Sequence, residues 1–331
     1  MIIPLPGETE KTYFEGVKFL MNNNIKAATF TLMMLCGAEL GRDEAIKKHG
    51  MKSKFRVLPK QFGNYNGKKI FEVEQICVAT NTMNFQSYLK CRNYNFILQL
   101  LSHGVFSPVY KLTQKIGIDW FNFSKELADA IQNKIFKGKL KDLYNEFCKE
   151  SHNELFDSKE EVIKFYSQPK NYKSLVKGEI GGNLLAKYTS KGLLIYDDIL
   201  TSIFYVMRNK LSKIYDKKFN LMLNSSEKWL KNVHMMREIY VNKKDIKENT
   251  RCKLDIDFDF PSWLSKSHLP LNQFKKRSTY KLDYDLKRIN HLRNEIKSIY
   301  GNDKERALDR HLTQYMSRGS HILEKRFQKI N

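Results

Sequence analysis

No two of the five cysteines, Cys36, Cys77, Cys91, Cys148 and Cys252, lie within ten residues of one another. That scatter excludes zinc sites built from paired cysteines and ferredoxin-type runs. An odd number of scattered thiols, with no signal-peptide pattern, reads as reduced cysteines in a cytoplasmic protein. Long apolar runs are also missing. The best stretch, Gly192 to Met207, is interrupted by Asp197 and Asp198, so no membrane span is expected. The eight histidines show no metal-ligand spacing. A Walker loop, a Gly-x-Ser-x-Gly elbow and a His-Glu-x-x-His helix are all absent, which leaves a self-contained kinase, hydrolase or metalloprotease without support. Neither a heptad seam nor an internal repeat occurs.

What is present is a chain long enough for two domains. Its 331 residues are 41% hydrophobic with 21 phenylalanines, which is ample for a packed core. The formal charge of +22 invites a nucleic-acid reading through counterion release. The excess is spread along the chain, however, and accompanies many Asn, Ile, Tyr and Phe residues. Its densest clusters are Lys134 to Lys141, Arg208 with Lys210 and Lys213, and Lys275-Lys276-Arg277. No aromatic RNA-binding strand or zinc finger goes with them, so specific nucleic-acid binding is not expected.

The first forty residues read as strand, helix, strand. Ile2-Ile3 is followed by a helix with Tyr13, Val17, Leu20 and Met21, then by an apolar run from Thr29 to Leu35. Short connections make this a βαβ unit with parallel strands. A parallel sheet is normally buried on both faces and needs more than two strands. The expectation is therefore a chain cut from a longer parallel sheet, with one sheet edge open. Glu8 and Thr9 suit the acidic start and N-cap of the helix. Cys36 lies at the end of the second strand, a place where active sites collect, and the preferred reading is a small buried residue.

Further along, Asp43 to His49 predicts a short helix ended by Gly50, and Phe55 to Leu58 a strand stopped by Pro59. Asn66-Gly67 is a hairpin turn signal before the strand Ile70 to Val78. From about Asn84 the apolar period becomes helical. Helices are expected over 84–104, 123–136, 157–166 (with Asp157 and Glu160 as a capping box), 184–211 with a break near Gly192, and 227–239. Leu254, Ile256, Phe258 and Phe260 alternate with Asp255, Asp257 and Asp259, the pattern of a strand whose acidic face is wet. Tyr280, Leu282 and Tyr284 suggest its partner. Helices over 286–300 and 304–329 complete the chain.

The segments MIIPLPGETEKTYFEGVKFL and FTLMMLCGAEL resemble the fifth and sixth strands of a radical SAM barrel. FRVLPKQFG, FEVEQICVATNTMNFQSYL, FDSKEEVIKFYSQPKNY, GEIGGNLLAKY and FDFPSWL extend the likeness in order, so that nearly the whole chain resembles the C-terminal region of cobalamin-binding-domain-containing radical SAM proteins. Pro4 and Cys36 depart from the family pattern, which has Gly and Pro there. The resemblance implies a mixed α/β, helix-rich fold: residues 1–83 as the end of a truncated, partial TIM-type barrel with a hairpin, and residues 84–331 as a mainly helical domain with a small sheet. It implies backbone contact by Ile3, Leu5 and Gly7, with Glu8 beside them, to S-adenosylmethionine. The family's cofactors are S-adenosylmethionine, a 4Fe–4S cluster and cobalamin. Because the Cys-x3-Cys-x2-Cys loop is absent from this chain, the cluster has no ligands here and the chain is expected to be inactive alone. A protein carrying the missing N-terminal half of the barrel is the partner this implies. The alternatives are an interaction module docking on a partner subunit and a basic nucleic-acid-binding protein; the substrate is unknown.

Overall fold

The computed structural model describes residues 1–23, 25, 28–133, 135–211, 217–240, 252–301, 303, 307–314 and 323–330. Along the chain, β1 (Ile2–Ile3), α1 (Glu10–Asn22), β2 (Phe30–Thr31), α2 (Asp43–His49), β3 (Lys52–Tyr65) and β4 (Lys68–Ala79) come first. Ten helices follow among the described residues: α3 (Phe85–Leu101), α4 (Ser107–Lys115), α5 (Trp120–Gln132), α6 (Lys139–Asn153), α7 (Lys159–Ser167), α8 (Pro169–Val176), α9 (Leu184–Leu194), α10 (Tyr196–Leu211), α11 (Lys217–Val233) and α12 (Met236–Tyr240). Then come β5 (Cys252–Ile256), α13 (Phe260–Ser265), β6 (Ser278–Asp283), α14 (Leu286–Tyr300) and β7 (Arg326–Lys329). The chain is thus mixed α/β and rich in helix.

It divides into two compact units, each made of two chain segments: Met1–Gln99 with Asp142–Tyr188, and Leu100–Lys141 with Thr189–Asn331. The junction expected after residue 83 lies inside the first segment of the first unit.

In the first unit, β1 and β2 pair in parallel, with Ile2 opposite Phe30 and Ile3 opposite Thr31. The run from Thr29 to Leu35 does not stay on β1. Cys77 N–H donates to the Leu32 carbonyl at 2.8 Å and Met34 N–H to the Gln75 carbonyl at 2.8 Å, so the run leaves β1 and joins the edge of β4. Leu32 is buried in the same move, against Met51 and Cys77. α1 starts at a reciprocal cap: Thr9 accepts from Thr12 N–H, and the Thr12 hydroxyl accepts from Thr9 N–H. Thr9 is the cap; Glu8 lies outside it.

β3 and β4 form a long hairpin closed by Asn66 (φ 50°) and Gly67 (φ 81°), the left-handed pair that a type I′ turn requires. Pro59 does not stop β3. Val57 faces Val73 and Phe62 faces Phe71, so the residues between bulge out of register, where a proline owes no ladder donor. Against this hairpin pack Val162, Tyr166 and Leu175 of α7 and α8. The cap of α7 is Ser158, whose hydroxyl accepts from Glu161 N–H at 3.1 Å, while Glu161 returns a bond to Asp157 N–H at 3.0 Å. The cap lies one residue later than Asp157 and Glu160 suggested, and Glu161 bonds back to Asp157, the residue before the cap, rather than to the cap itself.

In the second unit α10 is the central helix, with Ile199, Leu200, Ile203, Phe204 and Met207 buried. The break expected near Gly192 occurs at Ile195, between α9 and α10. β5, β6 and β7 make an antiparallel sheet in that order. Its third strand replaces the end of the helix expected over 304–329. Of that stretch, Ala307–Leu312 forms a π-helical turn, and residues 304–306 and 315–322 lie outside the described residues. Leu282 and Tyr280 are buried, and Trp229 meets Tyr280 and Phe327 edge-on at 5.0 Å. The strand expected to run on to Phe260 ends at Ile256, and Asp259, expected on its wet face, lies beyond it at the start of α13. Asp259 is 0% exposed, caps α13, and binds Tyr280 and Lys329. Burial pushes its carboxyl up, but these partners hold it below its ordinary value.

Candidate functional site

β1 ends at a cis Ile3–Pro4 peptide bond and runs into the turn Leu5 to Glu8, whose closing bond is Glu8 N–H to the Leu5 carbonyl at 3.1 Å. Ile3 is 2% exposed. Its backbone therefore belongs to the sheet and its side chain to the core. Leu5 packs on the small cluster of Leu32, Met51 and Cys77. Gly7 sits at φ +85° with open space where a side chain would begin, so its backbone faces outward and only glycine holds this conformation without strain.

Glu8 is the unusual group. Its carbonyl accepts from the Thr82 hydroxyl at 2.7 Å, which fixes the turn against the end of β4. Its carboxyl oxygen Oε2 is buried, with no hydrogen-bond partner among the described residues. Burial raises the carboxyl pKa, against lowering contributions from the Leu5 backbone and the chain's amino terminus. A buried acceptor without a donor is costly, about 1–3 kcal/mol, and native proteins leave few of them. Close by, the Tyr13 hydroxyl donates to Asn95 Oδ1 on α3. Burial is the main cause that lifts the Tyr13 pKa far above its ordinary value. Tyr13 thus stays a neutral donor. The strand end therefore presents a glycine backbone and an unsatisfied carboxyl oxygen, with the Tyr13 phenol buried behind them on Asn95; it can accept hydrogen bonds from a hydroxyl or ammonium group.

Four charged side chains that sequence reasoning did not single out meet in the same unit. Arg56 of β3 donates to Glu74 Oε1 at 2.6 Å and to Glu154 Oε1 at 3.0 Å, and Arg92 of α3 donates to the same Glu154 oxygen at 2.6 Å. Glu74, Arg92 and Glu154 are buried. Desolvation disfavours the Arg56 charge, but Glu154 and Glu74 outweigh it and hold the guanidinium charged. Beside them Glu150 takes Lys187 at 2.9 Å, the Tyr188 hydroxyl at 2.6 Å and Gly181 N–H at 3.0 Å. Charges of opposite sign balance and donors fill the acceptors, so the cluster joins hairpin to helices. It has the form of a structural lock.

The cysteines do not converge. Cys36 is exposed rather than buried, Cys77 and Cys91 are buried, Cys148 is half-buried and Cys252 is exposed. Among the described residues no three of His, Cys, Asp and Glu group so as to hold a metal ion. The donor set here does not fit a 4Fe–4S cluster. Of the basic clusters, Arg208 pairs with Glu227 and Lys210 with Glu126, while Lys134 and Lys213 lie outside the described residues. Among the described residues no helix is long and apolar enough to cross a membrane. Compared with protein-family models the chain matches none. None of the curated proteins matches it either.

Proposed function

We propose that this chain acts as the C-terminal portion of a radical SAM enzyme, its β1 end facing S-adenosylmethionine. The observation that supports this reading is the turn at Gly7 and Glu8: an outward-facing glycine backbone beside a buried carboxyl oxygen without a donor. Ile3, Leu5 and Gly7 would offer main-chain groups, and Glu8 would accept from an adenosyl hydroxyl. Such a bond satisfies the oxygen that the protein leaves bare. When bound and reduced by a cluster, S-adenosylmethionine supplies a carbon-centred radical; in this proposal the cluster, and cobalamin where used, are held by residues outside this chain. The partial barrel and the partner bearing its other half belong to the same proposal.

Two measurements test it. Anaerobic reconstitution with iron and sulfide should leave the chain without a cluster. A brown product with about four irons per chain would overturn the assignment of ligands. Titration with S-adenosylmethionine, followed by calorimetry, should give weak binding that Glu8→Ala lowers about tenfold, equivalent to about 1.4 kcal/mol. Unchanged affinity in Glu8→Ala, or no binding to the wild-type chain, sinks the site.

A second reading, an interaction module, rests on the edge of β1. In the parallel pair, Phe30 N–H donates to the Met1 carbonyl and Leu32 N–H to the Ile3 carbonyl, each at 2.8 Å. The N–H and C=O of Ile2 therefore point to the opposite edge. Among the described residues no strand pairs there. Ile2, Phe19, Phe30 and Leu35 are exposed in the same βαβ unit. An open apolar edge accepts an added strand.

A further inference from the structure

The net charge of +22 divides unevenly between the two units. The second holds 37 lysines and arginines against 20 aspartates and glutamates, a net charge of +17. Within it, the 23 residues from Phe260 to Leu282 contain no carboxylate. That stretch is α13, the connection after it and most of β6. Lys266, His268, Lys275, Lys276 and Arg277 are exposed along the connection.

The connection is fixed from beneath. Phe260, Trp263 and Phe274 are buried. The Phe274 carbonyl accepts from Asp259 N–H at 2.8 Å and from Lys276 N–H at 2.9 Å, which ties the turn bearing Lys275 and Lys276 to the start of α13. At the other end, Lys266 N–H donates to the Trp263 carbonyl at 2.9 Å, and Lys115 Nζ of α4 to the His268 carbonyl at 3.1 Å. The neighbouring carboxylates are engaged elsewhere. Asp259 holds Lys329, and Asp283 holds Lys281 at 3.5 Å. Asp255 and Asp257 lie beside Arg277 in the β5–β6 register and offset that one cation. Among the described residues Lys266, Lys275 and Lys276 form no ion pair.

We propose that this connection is a phosphate-contacting surface for a nucleic-acid duplex, with Lys266, Lys275 and Lys276 as its charged contacts. Two observations select this partner. No large apolar side chain is exposed from Phe260 to Leu282 or on α4, so the surface lacks both a membrane anchor and the apolar centre of a protein interface. Phe260, Trp263, Phe274 and Tyr280 are buried, which removes the stacking platforms that single strands use. What remains is lysine on a fixed backbone. It matches rows of phosphates and reads no base, so binding is indifferent to sequence and driven by counterion release.

The experiment is fluorescence anisotropy of the full chain with a labelled DNA duplex of about 20 base pairs, across about 50–200 mM salt, where phosphate contacts weaken severely. Two triple variants carry the same change in charge. One is Lys266→Gln, Lys275→Gln and Lys276→Gln; the other is Lys159→Gln, Lys164→Gln and Lys170→Gln, at exposed positions of α7 and α8. The first should weaken binding at least about tenfold at low salt. It should also flatten the slope of log K against log salt by about 2.7, since each phosphate contact contributes about 0.9. The second should leave both values close to wild type. Thermal melts check that each variant folds; should the first fail to, Lys276→Gln alone decides, with an expected slope change of about 0.9. The proposal is overturned if the two triple variants weaken binding alike, which would mean diffuse charge without a site, or if the duplex does not bind at the lowest salt. It is also overturned if phosphatidylserine vesicles or polyglutamate bind as tightly with the same dependence on Lys266, Lys275 and Lys276. Those outcomes would mean a membrane face or a face for acidic protein. This surface shares no residue with the Gly7–Glu8 turn, so either proposal can fail alone.

Discussion

The two units both bury titratable groups as matched charges, and differ in what else they bury. The first unit keeps them charged and matched: Arg56 and Arg92 against Glu74 and Glu154, and Lys187 against Glu150. The second holds such pairs too, Asp259 with Lys329 and Asp285 with Arg326, and adds two imidazoles that burial keeps uncharged. His103 is 5% exposed, with burial pushing its pKa down to about 4, and His234 is held lower still. Charged pairs hold elements together by direction, because each donor must meet one acceptor. A neutral imidazole gives packing at neutral pH but remains exposed to protonation. Both units are sensitive to the loss of a charged partner, and the second is sensitive to acid through His103 and His234 as well.

The sharpest way to break this contrast is to remove the shared acceptor. Glu154→Ala leaves both guanidinium groups short of a carboxylate and is expected to destabilise the first unit by about 3–5 kcal/mol. Urea unfolding monitored by hydrogen exchange should report the loss in residues 1–99 and 142–188. A change under 1 kcal/mol would mean that the network is solvent-relaxed.

Acid should act on the second unit. The folded-state pKa values of His103 and His234 lie below the ordinary value of 6.5. Between pH 6.5 and about 4 the unfolded chain therefore binds protons that the folded chain does not. Stability falls with acidification across that window and is flat above it. Each histidine contributes at most about 1.4 kcal/mol per pH unit. His103→Gln should remove its share of the slope in thermal melts at stepped pH. An unaltered slope would show that His103 binds protons alike in the folded and unfolded states.

Helix caps sharpen the comparison at smaller scale. Thr9→Ala in the first unit removes a neutral cap and should cost about 1 kcal/mol. Asp285 in the second unit caps α14 through Arg288 N–H at 3.2 Å and also receives Arg326 of β7 at 2.8 Å. Burial pushes its carboxyl up, but Arg326 and the cap hold it below the ordinary range. Asp285→Ala should therefore cost more, about 2 kcal/mol, since it removes an N-cap and a charged hydrogen bond together. Chemical denaturation of the two variants side by side decides the order, and equal losses would mean that Arg326 adds nothing.

Local chemistry made several elements legible. Asn66-Gly67 requires left-handed backbone at two adjacent positions, and Gly50 ends α2 at φ +55°, as its place after His49 implies. The stripe of Ile289 and Leu292 places α14 correctly. What failed to show depends on partners distant in sequence. Arg326 to Lys329 is too short to display a period and becomes a strand because β6 offers it a register. Pro59 reads as a strand end unless the bulge that accommodates it is known. At the site, Gly7 and Glu8 stood out from the resemblance and the turn. The Arg56–Glu154 pair, 98 positions apart, leaves no trace in either neighbourhood. Nor does the orphan oxygen of Glu8, which depends on how Tyr13, α3 and the end of β4 close around it.

That each unit is assembled from two separate stretches has a consequence for the order of events during synthesis. Chains emerge from the ribosome at about 5–20 residues per second. The first unit cannot close until Tyr188 has appeared, although its hairpin is complete at Ala79. Residues 100–141 are made before that moment and then wait for everything after Thr189. Through that interval Phe123, Leu127 and Ile131 of α5, buried in the finished unit, have no α10 to cover them. A nascent chain paused shortly after residue 141 would offer that helix to chaperones, and one released at residue 188 would carry a finished first unit with an unpartnered helical insert.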